Sequence, residues 1–244
     1  CLNKHYKTGT ANFFKKLNQS SIQRNTINFE AKWRSKDLIA RDKITDFFTL
    51  DKSRTDIHVF HHINENLQQN DILHLANSSV VRYMQLFDPV KSVTYHSNRG
   101  TSGIDGSMST AVGSAIASPE KNHVFVTGDV SFIYDSNALW ISPFPKNIKI
   151  IVIDNRGGGI FRIIEGPSTA PQLETYFEAE HETNTFEIGK AYGLKVHLMS
   201  EKESLKEGID QFLNEDKDQI LIIRTDQKEN PLALQRFFKT LNDV

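Results

Sequence analysis

Short apolar runs alternate with stretches of helical periodicity along most of the chain. The apolar runs, each bounded by polar residues or glycine, predict buried strands over residues 72–76, 92–96, 123–128, 148–154, 195–199 and 219–224. Apolar positions at helical spacing predict helices over residues 79–87, 106–117, 132–142, 185–192, 201–214 and 231–241. Strands that alternate with helices are typical of a parallel sheet that is covered on both faces. The pattern therefore predicts an α/β fold with a six-stranded parallel sheet and helices on both faces.

The beginning of the chain has a different pattern. Residues 1–35 are polar and rich in Asn, Lys and Thr, and they predict the irregular end of a preceding domain followed by a linker. Residues 36–244 predict one domain, which opens with two helices before the first strand. Because the chain starts with Cys rather than Met, we expect it to be a C-terminal fragment of a longer protein.

Composition excludes several classes of function. The chain has 244 residues, of which 38% are hydrophobic and 24% charged, and a net charge of −1. A nucleic-acid surface usually shows a clustered basic excess, so we expect no nucleic-acid partner. No apolar stretch approaches the roughly 18 residues that a membrane span needs. Cys1 is the only cysteine, which excludes an intrachain disulfide and fits a cytoplasmic location.

Polar motifs follow two of the predicted strands. Gly128, Asp129, Val130 and Ser131 end one strand, and Asn155 follows the next strand, 26 positions after Asp129, ahead of a glycine run. Ligands of open parallel sheets bind outside the carboxyl ends of the strands, and both motifs lie at such ends. Mg²⁺ prefers carboxylate and carbonyl oxygens. Either motif alone is also common in plain turns, but their order and spacing together favour a metal site beside a phosphate.

Two further loops are predicted at the same edge of the sheet. Residues 95–110 contain three glycines within seven positions, which indicates a tightly folded backbone. Residues 76–82 place Asn77 and Ser78 at a helix start, where helix capping is an alternative explanation for both. Arg82 lies early in that helix, where a cation gains nothing from the helix dipole and an anion in the crevice would explain it. The segment 160–184 is either a surface excursion or a lid over the site.

These motifs resemble the cofactor signature of thiamine diphosphate enzymes, in which a Gly-Asp pair is followed by Asn at the end of the next strand. The sets 77–82, 97–106, 128–139 and 157–161 resemble more closely the 2-succinyl-5-enolpyruvyl-6-hydroxy-3-cyclohexene-1-carboxylate synthase family of menaquinone biosynthesis. This resemblance covers roughly residues 35–244. It implies a thiamine diphosphate-binding fold and a transferase that decarboxylates 2-oxoglutarate and adds the succinyl carbanion to isochorismate.

The resemblance also implies roles for individual residues. Mg²⁺, or Mn²⁺, would be held by Asp129, Asn155 and the backbone carbonyl of Gly157. Ile104 would support the bent cofactor, whose other contacts would be Gly103, Gly128, Val130, Ser131 and Gly158. The substrate carboxylates and the isochorismate side would be contacted by a catalytic set of five residues: Ser78, Arg82, Arg99, Ile160 and Phe161. Two positions depart from the family pattern, because Asp154 and Arg156 stand where Asn is common.

Part of the implied active site is missing from this chain. In thiamine diphosphate enzymes the glutamate that activates the cofactor belongs to an N-terminal pyrimidine-binding domain of a partner subunit. We therefore expect a homodimer or homotetramer for the whole protein, and no turnover by this chain alone. The alternatives are another 2-oxoacid carboligase or decarboxylase, such as an acetohydroxyacid synthase, or a non-catalytic cofactor-binding module. A nucleotide-binding domain is disfavoured, because neither G-x-G-x-x-G nor a P-loop lysine is present.

Overall fold

A computed structural model describes residues 6–20, 28–215 and 217–242 of the chain. These residues form two compact units that divide between Lys43 and Ile44. The division lies close to the boundary near residue 35 that the sequence predicts, but it does not test whether the first unit belongs to a preceding domain. That assignment stays a prediction.

The described residues of the first unit include helices where the sequence predicts irregular structure, and residues 1–5 and 21–27 of that prediction lie outside the described residues. Helix α1 spans Thr10–Gln19, and helix α2 spans Phe29–Leu50 and continues into the second unit. The prediction was wrong for the described residues of α1, which form a helix although none of them is buried. Ion pairs one turn apart, Glu30 with Arg34 and Asp37 with Arg41, support the exposed part of α2 instead, each at 2.9 Å.

The second unit is built on one six-stranded sheet in which every paired strand is parallel. The strand order is β2-β1-β3-β4-β6-β5. The strands are β1 (Ile72–Leu75), β2 (Thr94–Ser97), β3 (His123–Gly128), β4 (Ile148–Asp154), β5 (Val196–Leu198) and β6 (Ile220–Arg224). The helices are α3 (Asp56–Asn66), α4 (Ser79–Met84), α5 (Ser107–Ala117), α6 (Asp129–Tyr134), α7 (Thr185–Ala191), α8 (Leu205–Asn214) and α9 (Glu229–Leu241). The predicted α/β class and the six strands are confirmed.

Burial along the central strands explains why their sequences are almost continuously apolar. Five consecutive residues of β3 are buried, and in β4 only Lys149 is not. Because neighbouring residues of a strand point to opposite faces, this pattern requires cover on both faces of the sheet. Fully buried residues such as Ile150 and Val152 each contribute roughly 1.5–3 kcal/mol relative to exposure.

The predicted helix over residues 132–142 is wrong in its bounds. Helix α6 begins at Asp129 and ends at Tyr134, and a separate 3₁₀ turn spans Ser136–Trp140. Asp135 interrupts the two because its backbone leaves the helical region, with φ −113° and ψ 19°. Its carboxylate accepts hydrogen bonds from the backbone N–H and the hydroxyl of Ser109, near the start of α5. A tertiary contact therefore ends this helix.

The order in which strands are added to the sheet changes direction between β1 and β3, which are neighbours in the sheet. From β1 the chain crosses outward to β2, whereas from β3 it crosses to β4 on the other side. Such a topological switch point leaves a crevice at the carboxyl ends of the two strands, where ligands of doubly wound folds bind. Among the described residues, no helix is both long enough and apolar enough to cross a membrane.

Candidate cofactor and metal site

A cleft opens at this switch point. Loops after three neighbouring strands line it: Asn77 and Ser78 follow β1, the Gly128–Ser131 segment ends β3, and Asn155 follows β4. The sequence motifs that predicted a shared crevice are therefore brought together. Of the predicted site residues, the cleft is lined by Ser78, Ile104, Gly128, Asp129, Val130, Ser131, Asn155, Gly157, Gly158 and Phe161.

Asp129 is the buried carboxylate of the cleft, with 1% of its surface exposed. One carboxylate oxygen accepts a 2.7 Å hydrogen bond from the backbone N–H of Val130, and the other accepts one of 3.0 Å from that of Gly157. Burial raises the pKa of Asp129, and the nearby His181 opposes that rise. His181 Nε2 lies 3.4 Å from the Asp129 carboxylate, which raises the pKa of the imidazole. Asp129 thus favours a cationic neighbour.

Asn155 also lines the cleft, and one of its two amide atoms makes a hydrogen bond. Its Nδ2 donates a 3.3 Å hydrogen bond to a carboxylate oxygen of Asp56. Its Oδ1 is buried and has no hydrogen-bond partner among the described residues. A buried amide oxygen without a partner costs stability unless a ligand satisfies it. A carboxylate and an unpaired amide oxygen are the donors that Mg²⁺ prefers.

The turn after β4 lies directly beneath the segment 160–184. A Cβ on Gly157 would lie 2.7 Å from the carbonyl oxygen of Glu178, so only glycine fits at that position. The N–H of Gly158 donates to the same carbonyl at 2.5 Å. Phe177, Glu178 and Ala179 line the cleft themselves. This end of the segment therefore covers the site, as the lid interpretation predicts, although its movement remains a prediction.

Asn77 joins the loop after β1 to the glycine-rich loop after β2. Its Nδ2 donates to the backbone carbonyls of Asn98 and Gly103, at 2.7 and 2.6 Å, and its Oδ1 accepts from Arg99 at 2.7 Å. Helix capping is therefore the wrong explanation for Asn77. Ser78 is the N-cap residue of α4 but makes no capping bond through its side chain, and its φ of 71° is strained for a serine.

Four predicted residues do not line the cleft. Arg82 is exposed on α4, Ile160 is buried beneath the turn after β4, and Gly103 faces Asn77 through its carbonyl. Arg99 is also exposed and lines a neighbouring groove, but its guanidinium is bonded to Asn77, which does line the cleft. The geometry thus places Arg99 at the margin of the site and leaves Arg82 outside its lining.

The model of the C-terminal TPP binding domain of thiamine pyrophosphate enzymes matches residues 77–224. The chain belongs to this family. The matched region contains the loops after β1, β3 and β4 that line the cleft, and it begins at Asn77. Thiamine pyrophosphate (TPP, thiamine diphosphate), normally bound with a divalent metal such as Mg²⁺, is thus the cofactor of this TPP-binding domain.

Relatives of the TPP-binding domain share one description. The chain is 41% identical over 248 residues to 2-succinyl-5-enolpyruvyl-6-hydroxy-3-cyclohexene-1-carboxylate synthase of Flavobacterium johnsoniae, covering 98% of this chain and 43% of that protein. It is 35% identical to the protein of the same name from Porphyromonas gingivalis, and the match covers 97% of this chain and 42% of that protein. The chain thus spans less than half the length of these relatives.

A solved structure supports the fold of the TPP-binding domain. The thiamine diphosphate-dependent 4-hydroxybenzoylformate decarboxylase of Rhodococcus jostii RHA1 matches with a TM-score of 0.55 and 19% identity, over 72% of this chain and 33% of that chain. At this identity the likeness concerns the fold alone.

Sequence reasoning missed two polar residues of the TPP-binding domain's site. Asp56, in the first turn of α3, is 3% exposed and lines the cleft, where burial raises its pKa to about 6. His181 approaches Asp129 from the segment 160–184. Asp56 precedes the matched region and resembles an ordinary helix-start residue, and His181 belongs to no motif. No local signal in the sequence would have identified either one.

Proposed function

We propose that the protein containing this chain is a TPP-dependent transferase of menaquinone biosynthesis, which decarboxylates 2-oxoglutarate and adds the succinyl group to isochorismate. The names of its relatives support this proposal, since two of them match over nearly the whole chain at 35–41% identity. The observation that carries the chemistry is that the Asp129 carboxylate and Asn155, whose Oδ1 has no hydrogen-bond partner among the described residues, line the same cleft at the switch point of the sheet.

The residues present fit a divalent metal and a diphosphate. Asp129, Asn155 and the carbonyl of Gly157 would hold Mg²⁺ or Mn²⁺, which suits oxygen ligands of this kind. Gly103, Gly128, Val130, Ser131 and Gly158 would bind the cofactor. When bound, TPP supplies the nucleophilic carbon and the electron sink for decarboxylation.

The chain's own residues shape the site around the reacting groups. The hydroxyl of Ser131 donates to the carbonyl of Ile104 at 2.5 Å, which fixes the loop that presents the apolar Ile104 side chain to the cleft. Phe161 and Phe177, with ring centroids 5.5 Å apart, form an apolar part of the cleft wall. An apolar lining lowers the local dielectric and strengthens the electrostatic interactions of a charged substrate.

Both proposed substrates carry carboxylates, and we assign their recognition to Ser78, Arg82 and Arg99. Guanidinium groups bind carboxylates through paired hydrogen bonds. Arg99 is held at the cleft margin by Asn77, which supports its part in this role. Ile160 and Phe161 would shape the isochorismate side; Phe161 lines the cleft, whereas Ile160 would act from the layer beneath.

The remaining parts of the site would come from elsewhere. We propose that residues 1–35 end a preceding domain, that residues 36–244 form the TPP-binding domain, and that a partner subunit's pyrimidine-binding domain completes the site in a homodimer or homotetramer. A cytoplasmic location belongs to the same proposal. The support is the resemblance together with the 43% of the relative's length that the chain spans.

Substrate profiling of the full-length protein tests the reaction. We expect consumption of 2-oxoglutarate in the presence of isochorismate only when TPP and Mg²⁺ or Mn²⁺ are added. Turnover of pyruvate instead would favour a different 2-oxoacid carboligase. Tight TPP binding without turnover of either 2-oxoacid would favour a non-catalytic module.

A further inference from the structure

The orientation of the Asn155 amide is set by a neighbour from outside the motif. An asparagine side chain has an oxygen and an NH₂ group, and only the oxygen can bind a cation. The Oδ2 atom of Asp56 accepts the hydrogen bond from Asn155 Nδ2 at 3.3 Å, and both residues are buried. A carboxylate oxygen accepts and does not donate, so the NH₂ group must face Asp56 and Oδ1 must face away from it.

Asp56 is itself fixed by two residues at the carboxyl end of β6 and the start of α9. Thr225 Oγ1 donates to the other Asp56 oxygen at 2.6 Å, and the backbone N–H of Asp56 donates to Asn230 Oδ1 at 2.9 Å. Asn230 Nδ2 donates to Thr225 Oγ1 at 3.2 Å, which closes the network. Both carboxylate oxygens of Asp56 therefore accept hydrogen bonds, and rotation of the side chain away from Asn155 would break the bond with Thr225 as well.

We propose that Asp56 is a positioning residue that orients the Asn155 amide so that its oxygen is presented to the metal. The inference rests on the proposed TPP and metal site, because it concerns how that site is prepared. It extends the site to α3, which lies before the matched region 77–224. Neighbours that orient metal ligands typically change metal affinity about 10–100-fold when they are removed.

Two substitutions separate orientation from charge. Asp56→Leu removes the acceptor, so the Asn155 amide can turn and present NH₂ to the cation. Asp56→Asn keeps an acceptor: its oxygen can face Asn155 Nδ2 while its NH₂ group donates to Thr225 Oγ1. If orientation is what Asp56 supplies, the leucine variant should lose about 10–100-fold in Mn²⁺ affinity, and the asparagine variant should lose much less.

The experiment measures Mn²⁺ binding to the full-length protein in the presence of TPP, by electron paramagnetic resonance of free Mn²⁺. Four proteins are compared with wild type: the Asp56→Leu and Asp56→Asn variants, Asn155→Ala, and the Asp56→Leu/Asn155→Ala double variant. Because Asp56 acts through Asn155, the double variant should bind Mn²⁺ no more weakly than Asn155→Ala alone. The proposal would be overturned if the loss of Mn²⁺ affinity in the double variant equalled the sum of the two single losses. It would also be overturned if Asp56→Leu and Asp56→Asn lost the same affinity.

Controls separate this role from folding and from the proposed reaction. Asp71 is buried to a similar extent, with 5% exposed, but precedes the amino end of β1, and Asp71→Asn should leave Mn²⁺ affinity unchanged. Thermal unfolding of each variant without metal reports stability separately from affinity. A wild-type protein that binds TPP and Mn²⁺ but does not consume 2-oxoglutarate would overturn the proposed reaction, while the Mn²⁺ comparison would still decide the role of Asp56.

Discussion

The Asp129 carboxylate and the backbone N–H of Gly157 are joined by a hydrogen bond of 3.0 Å. The bond ties the end of β3 to the turn after β4, so the two motifs of the metal site hold each other in place. Asp129 thus orients the turn that carries Gly157 and presents its negative charge to the cleft. Its loss should affect both the position and the charge of the site.

We expect Asp129→Ala to abolish binding of Mg²⁺ and TPP by the full-length protein, because a proposed metal ligand and the anchor of the Gly157 turn are removed together. Isothermal titration calorimetry with TPP, with and without Mg²⁺, measures the effect. Asp71→Ala serves as the control, since it removes another buried carboxylate, one that bonds the backbone N–H of Gln68 at 2.7 Å. TPP binding of wild-type strength in Asp129→Ala would contradict the site.

Gly157→Ala should weaken TPP binding and lower stability, because the added Cβ would lie 2.7 Å from the Glu178 carbonyl oxygen and push the segment 160–184 off the turn. Gly113→Ala is the matched control, since no atom lies within 4 Å of its added Cβ and it lies inside α5. Alanine there should stabilise by about 0.5–1 kcal/mol. Urea unfolding compares the two. Equal stabilisation by both substitutions would show that the segment does not pack as described.

Asn77→Ala should destabilise the protein by about 1–3 kcal/mol, because it leaves the carbonyls of Asn98 and Gly103 and the guanidinium of Arg99 without their partner. The glycine-rich loop should become more exposed, which hydrogen exchange of residues 98–106 would detect. Asn214→Ala is the control, because Asn214 is exposed and its side chain bonds Asp210 within α8. Unchanged exchange in the loop would refute the role of Asn77.

Arg99→Ala should chiefly impair the response to substrate and leave TPP binding intact. Loss of a charged partner for a substrate carboxylate costs about 2 kcal/mol or more, which corresponds to roughly a 30-fold fall in kcat/KM. Steady-state kinetics with 2-oxoglutarate measures this. Arg34→Ala, which removes an exposed arginine paired with Glu30 on α2, should have no effect. A normal kcat/KM in Arg99→Ala would remove Arg99 from the site.

Stability should fall in acid because of three stacked histidines in the sheet. His74 on β1 lies between His96 on β2 and His123 on β3, with ring centroids 5.4 and 5.3 Å away, and its Nε2 is 3.0 Å from His123 Nδ1. Burial, with the neighbouring His123 and His96, lowers the pKa of His74 to about 4. Burial also lowers the pKa of His123, although Ser118 and Glu120 oppose this.

The sign follows from proton binding. Between about pH 6.5 and pH 4 the unfolded chain binds a proton at His74 that the folded protein excludes. The free energy of unfolding is therefore unaffected by the titration of His74 above pH 6.5 and declines as the pH falls toward 4. The loss should be on the order of 1–3 kcal/mol. Urea unfolding at pH 7 and pH 5 should show a smaller difference for His74→Gln than for wild type.

Much of the architecture and part of the site follow from the sequence alone. Strands such as β3 and β4 are predicted within one residue because burial on both faces requires continuous apolar runs. The Asp129 and Asn155 motifs are visible because they directly follow those strands. Helix α1 and the break at Asp135 could not be predicted from the sequence. Helix α1 has no buried face, and the break depends on a contact with Ser109.

Tertiary structure decided which groups meet in the cleft. The sequence places polar loops at the ends of strands but does not contain the strand order, and it is the order β2-β1-β3-β4 that brings three of those loops together. Asp56 and Asn155 are 99 positions apart, and their contact leaves no local pattern. Sequence periodicity reports whether a residue is buried, whereas the partner of a buried polar group depends on packing between distant elements. The hydrophobic pattern and its polar motifs thus predict where the site lies, and the fold determines how its oxygen ligands are oriented.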